Sequence, residues 1–199
     1  MASGERKPLR DYNLFFFDCE TGGLKVHEAD MVEVGCILTD PTGRTVIEEY
    51  SAKVFPKKPV QTRAAEVNGY TPEKWAAEAV ELDGPMFQMI RMARNAIFTA
   101  HNTPFDWAFF EKAMDERYMK WPSDYHRWDT VSLAVPLLYS GRVPNLKLET
   151  LAAYFGIEHV AHRALGDVRA TREVFLRLME LQAPVMEALR ALPPAGVAS

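Results

Sequence analysis

The sequence predicts an α/β domain built on a mixed sheet, and three observations predict it. Three strand-like segments come first, at 13–20, 31–40 and 44–56, with Asp40-Pro41-Thr42-Gly43 as the turn that joins the last two into a hairpin. One more short apolar run, "AIFTAHN", follows a stretch of helical spacing. The second half of the chain is helical in its periodicity almost throughout.

Each element has its own signal. "NLFFFDCE" is apolar without alternation up to its acids, as expected of a central strand buried on both faces. "PEKWAAEAV" and "PMFQMIRMARNA" carry helical spacing, and "PFDWAFFEKAMDERYMKW" (104–121) reads as an amphipathic helix. Further helices are expected at 129–141, at 146–156 with Gly156 closing it, and at 165–182. "PVMEALRALPPAGVAS" reads as a short helix with a frayed tail, which divides the chain into a catalytic-sized domain, 1–182, and an appendage, 183–199.

At 199 residues, 48% apolar and 25% charged, the chain suits one globular domain with a full core. No stretch approaches the roughly 20 apolar residues of a membrane span, and the start, "MASGERKPLRDYN", lacks the apolar middle of a secretory signal, so a cytoplasmic location and no membrane partner are expected. Cys19 and Cys36 each sit in an apolar run and read as buried thiols, not a disulfide framework or a CxxC zinc site. A formal charge of −4 excludes a protein that coats nucleic acid through bulk positive charge, but not an enzyme that acts on it. Four acids gathered around two divalent cations would account for that surplus.

Asp18 and Glu20 are two apart on a strand, so both side chains leave the same face, about 6.5 to 7 Å apart at their bases, and can share a ligand. Carboxylates at the end of so apolar a strand are costly without a partner, and a divalent metal is the obvious one. The glycines of "TGG" then let the backbone turn sharply. Asp106 has a competing local use: Thr103 and Asp106 match a capping box with Pro104 at the first helical position. His162 and Asp167 are five apart, about 140° around a helix, so His162 must come from the loop while Asp167 sits in the first turns of the last long helix.

Together these pieces resemble the DEDDh subgroup of the DnaQ-like 3′–5′ exonucleases, which includes the proofreading subunit of bacterial replicative polymerase. The motif D-x-E with T and G after it stands as Asp18 to Gly23, H-N-x-x-F-D as His101 to Asp106, and H-x-x-x-x-D as His162 to Asp167. Weaker echoes are "EVNGYTPEKW", "WDTVSLA" and "NLKLETLAAYFGI", so the likeness covers about residues 12 to 180. Two departures touch the substrate side: Gly22 stands where a second Thr is usual, and Asn68 where proofreading subunits often carry His.

The resemblance implies an RNase H-like mixed five-stranded sheet flanked by helices. It implies two Mg²⁺ or Mn²⁺ held by Asp18, Glu20, Asp106 and Asp167, hard oxygen donors that suit those ions rather than zinc. Such a pair of ions brackets a scissile phosphate, with His162 as general base toward the attacking water. The terminal nucleotide would meet the backbone amides of Thr21, Gly22 and Gly23, the apolar surfaces of Leu24 and Phe105, and the polar side chains of Asn68 and Asn102. The implied partner is a nucleic-acid 3′ end, DNA ahead of RNA, with a DNA polymerase or repair protein as the class of protein partner. Three alternatives are weighed: an exoribonuclease of the same fold, a non-catalytic module that binds nucleic-acid ends, and a phosphatase of the haloacid dehalogenase type, from whose D-x-D pattern "DCE" departs.

Overall fold

The computed structural model describes residues 7–159 and 161–192. Five strands form one sheet in the order β3-β2-β1-β4-β5: β1 is Asn13–Thr21, β2 Met31–Thr39, β3 Val46–Lys53, β4 Ala96–Ala100 and β5 Arg127–Asp129. β1 runs antiparallel to β2, and β2 to β3, while β4 pairs parallel with β1 and with β5, so the sheet is mixed as expected. Seven helices flank it among the described residues: α1 Thr62–Asn68, α2 Pro72–Glu78, α3 Asp83–Met92, α4 Thr103–Asp115, α5 Thr130–Tyr139, α6 Leu148–Phe155 and α7 Ala164–Arg190.

The apolar run of β1 serves two cores, because successive side chains leave opposite faces. Phe15, Phe17 and Cys19 join the core under α3 and α4, where the Phe17 ring meets Phe110 edge-on at 5.0 Å. Leu14 and Phe16 join the core under α7, where Phe16 meets Phe175 at 5.5 Å. A third cluster packs α5 and α6 against α7 through Leu137, Leu151 and Val174. Register thus decides that Asp18 and Glu20 emerge on the α7 side of the sheet.

The sequence expectations need four amendments. α1 was not expected; its seven residues carry only one buried side chain, Asn68, and so show no apolar stripe. β5 is three residues long, too short for a period, and its last residue, Asp129, caps α5 through Val131 N and Ser132 N. α4 ends at Asp115, not 121. No break separates residue 183 from the preceding helix: α7 runs through Pro184, because the carbonyl that proline leaves without a donor belongs to the exposed Glu180. The expected tail at 193–199 lies outside the described residues, as do residues 1–6 of the polar start. No helix among the described residues is long and apolar enough to cross a membrane.

Candidate metal and nucleic-acid site

The end of β1 and the start of α7 are forced together by β2. A Cβ built at Gly35 would lie 2.6 Å from the Ala164 carbonyl carbon and from Leu165 N, so only glycine lets the helix start rest on the strand. That seat brings Asp167, in the first turn of α7, over Asp18 and Glu20. One carboxylate oxygen from each of the three lies within 4.8 Å of the others. Oxygens gathered this closely suit a hard divalent cation.

The electrostatics fit the same reading. Burial, followed by the charges of Asp106, Asp167 and Glu20, holds the Asp18 carboxyl well above the usual carboxylate range. Burial and then the charges of Asp167 and Glu33 push Glu20 up to about 7, against the pull of Arg163. Acids crowded like this resist ionising together, and a cation relieves the cost.

Asp167 is fixed on both oxygens. Its Oδ2 accepts the backbone N–H of His162 at 2.9 Å and of Arg163 at 3.1 Å, and its Oδ1 meets His159 Nε2. His162 is thereby held in a left-handed backbone conformation, φ 68°, on the loop where the helix-angle argument requires it. It is exposed, and with Asp18, Glu20 and Asp167 it lines an open cleft of about 740 Å³. His101, Asn102, Lys147 and Glu149 also line it.

Asp106 is buried and does not cap its own helix as the sequence suggests. Asp129 Oδ1 accepts from Asn102 N and Thr103 N instead, while Asp106 Oδ1 accepts from Cys19 N. The reason is topological. β4 pairs with β1 only as far as Phe16, and beyond that point Asp106 takes the Cys19 amide. From there its charge helps to raise Asp18, and burial lifts Asp106 itself to about 7. The three-acid cluster therefore has Asp106 beside it rather than in it.

On the other side of Glu20 lies a second, apolar hollow of about 280 Å³, lined by Thr21, Gly23, Leu24, Phe105 and Asn68 together with Arg63 and Val67 of α1. Leu24 is 81% exposed there. Two of the expected substrate contacts are already engaged. Gly22 N donates to Asp30 O at 2.8 Å, so this amide is not free for a nucleotide. Asn68 is buried, with Nδ2 donating to Thr21 O and Oδ1 accepting from Tyr70 N, which makes it a brace for the turn. Sequence reasoning gave no site role to His159, Glu33, Arg63 or Asp129. Only Asp129, before a helical run, carried a local signal, that of an N-cap.

Residues 15–175 match the exonuclease family named for RNase T. The chain belongs to that family. The DNA polymerase III subunit epsilon of Treponema pallidum is 28% identical to this exonuclease-family chain over 169 residues, covering 82% of it and 74% of the relative. The PolC-type DNA polymerase III of Caldanaerobacter subterraneus subsp. tengcongensis is 24% identical over 181 residues, covering 90% of the chain but 12% of that much longer protein. Among solved structures, E. coli Exonuclease I in complex with a dT13 oligonucleotide superposes with a TM-score of 0.77 at 21% identity, over 89% of this chain and 43% of that one. The five-stranded exonuclease fold expected from the motifs is the one present.

Proposed function

We propose that the chain is a metal-dependent 3′–5′ exonuclease acting on single-stranded or frayed DNA ends. The observation that carries this is the convergence of Asp18, Glu20 and Asp167 oxygens within 4.8 Å, at the foot of an open cleft that His162 also lines. The fit to divalent metal rests on the donors: three carboxylates, two of them with raised pKa values that a cation would lower. Asp106, beside the cluster and close enough for its charge to raise Asp18, would be the fourth ligand, and two Mg²⁺ or Mn²⁺ are the expected complement. Cations bound there supply a water that ionises near neutrality and offset charge on the scissile phosphate.

The chain's own residues do the rest. His162 accepts the proton of the attacking water on a ring nitrogen, and its exposed loop position lets it approach from the solvent side. Leu24 and Phe105 offer faces to the terminal bases, while Gly23 and Thr21 bring the backbone close to the sugar. DNA is favoured because the similar Exonuclease I was solved with dT13 and with dA16, and the epsilon relative is named as a DNA polymerase subunit. A DNA polymerase or repair complex is the corresponding partner class.

The test is digestion of 3′-labelled single-stranded DNA, duplex DNA with a mismatched end, and short RNA, each with Mn²⁺ and with EDTA. Release of mononucleotides from DNA, stopped by EDTA, is expected. Absence of cleavage on all three with binding intact would leave an end-binding module.

A further inference from the structure

Glu33 stands directly opposite Glu20 in the β1–β2 ladder, so both side chains leave the same face of the sheet. Its side chain is 8% exposed, and Oε2 has no hydrogen-bond partner. A buried carboxylate left this way is expensive unless a charge beside it offsets the cost. What faces it is Arg163, the residue that precedes α7, with Nη1 3.7 Å from Oε2. Burial pushes the Glu33 carboxyl up, and the charges of Arg163 and Lys53 and the amide of Ala164 work against that rise; Lys53 also pairs with Glu78 at 2.5 Å.

Arg163 sits between acids of two kinds. Its guanidinium pairs with Glu33, its charge also reaches Glu20, and its backbone N–H bonds Asp167. A guanidinium is permanently charged and fits a carboxylate pair well, so one free to swing would lie across Glu20 and Asp167 where a cation belongs. We propose that Glu33 is a positioning residue that holds Arg163 back from Glu20 and Asp167 and so keeps the acid cluster open to a cation. This rests on reading the cluster as a cation site.

The test is Mn²⁺ titration of the full chain without substrate, reading free Mn²⁺ by electron paramagnetic resonance, for the wild type, Glu33→Gln, Arg163→Gln and the double variant. Glu33→Gln is expected to weaken Mn²⁺ binding about 10- to 100-fold, the range for removing a residue that orients ligands. With Arg163 also replaced there is no guanidinium to swing, and the double variant should return to within about threefold of Arg163→Gln alone. An equal loss in both backgrounds would assign Glu33 a merely structural role and overturn the proposal, as would wild-type affinity in Glu33→Gln. Failure of the wild type itself to bind Mn²⁺ would remove the cation site and this inference with it, and is told apart because it appears before any variant is read. Circular dichroism melts check folding, and if Glu33→Gln does not fold, Glu33→Asp, which draws the charge back from Arg163, makes the same comparison.

Discussion

Asp106 Oδ1 accepts the backbone N–H of Cys19 at 3.1 Å, so an acid of α4 takes an amide of β1 beyond the last β1–β4 pair at Phe16. One carboxylate therefore has a structural task and an electrostatic one, and substitutions separate them. Asp106→Asn keeps an oxygen for the amide and loses the charge; it should melt near the wild type and bind Mn²⁺ poorly. Asp106→Ala orphans the Cys19 amide and should cost about 1–3 kcal/mol in urea unfolding as well. Equal stability of the two variants would show that the bond contributes nothing.

The two histidines of the loop before α7 should behave differently. His162 touches Asp167 only through its backbone, so His162→Ala is expected to lower turnover about 10²- to 10⁴-fold with Mn²⁺ and oligonucleotide binding kept. His159 holds Asp167 by its ring, so His159→Ala should weaken Mn²⁺ binding about 10- to 100-fold. Titration calorimetry and single-turnover cleavage on both variants check the split; unaltered turnover in His162→Ala removes it as the base.

The raised carboxyls set a pH dependence whose sign is fixed. Glu20 and Asp106 titrate at about 7 in the folded chain, and Asp18 is raised also, all above their unfolded values. Between about pH 4 and pH 7 the folded state therefore binds more protons than the unfolded state, and stability falls as pH rises through that window. The cation-free Tm should decline from about pH 5 to pH 8, and saturating Mg²⁺ should flatten or reverse the decline by binding the deprotonated folded form. A scanning calorimetry series with EDTA and with Mg²⁺ reads both; a rising Tm in EDTA contradicts the raised pKa values.

Gly35→Ala would drive a methyl group into the Ala164–Leu165 backbone. The helix start must move, at a cost of about 1–3 kcal/mol, and Asp167 moves with it. Urea unfolding should show the loss, and Mn²⁺ affinity should fall although no ligand is changed. Wild-type affinity in a destabilised Gly35→Ala would mean that α7 shifts without carrying Asp167.

What was legible in the sequence followed short-range rules. A continuous apolar run ending in acids marked β1, a two-residue spacing put Asp18 and Glu20 on one face, and an angular mismatch placed His162 in the loop. What was not legible depended on pairings between distant segments. The capping-box pattern at Thr103 and Asp106 was real as a pattern, but Asp129 reached those amides from β5 and Asp106 answered a strand 87 positions away. His159 and Glu33 looked like ordinary polar residues until the loop and the β1–β2 register set them beside Asp167 and Glu20. β5 gave no period because three residues cannot show one.

Among the described residues the five strands are complete by residue 129, whereas Asp167 belongs to α7. During synthesis the sheet can therefore form well before the cutting machinery exists. On the proposed reading, a product stalled or cleaved ahead of α7 would lack one of the clustered acids and be harmless to the nucleic acid around it, and destructive chemistry would begin only once α7 had been made.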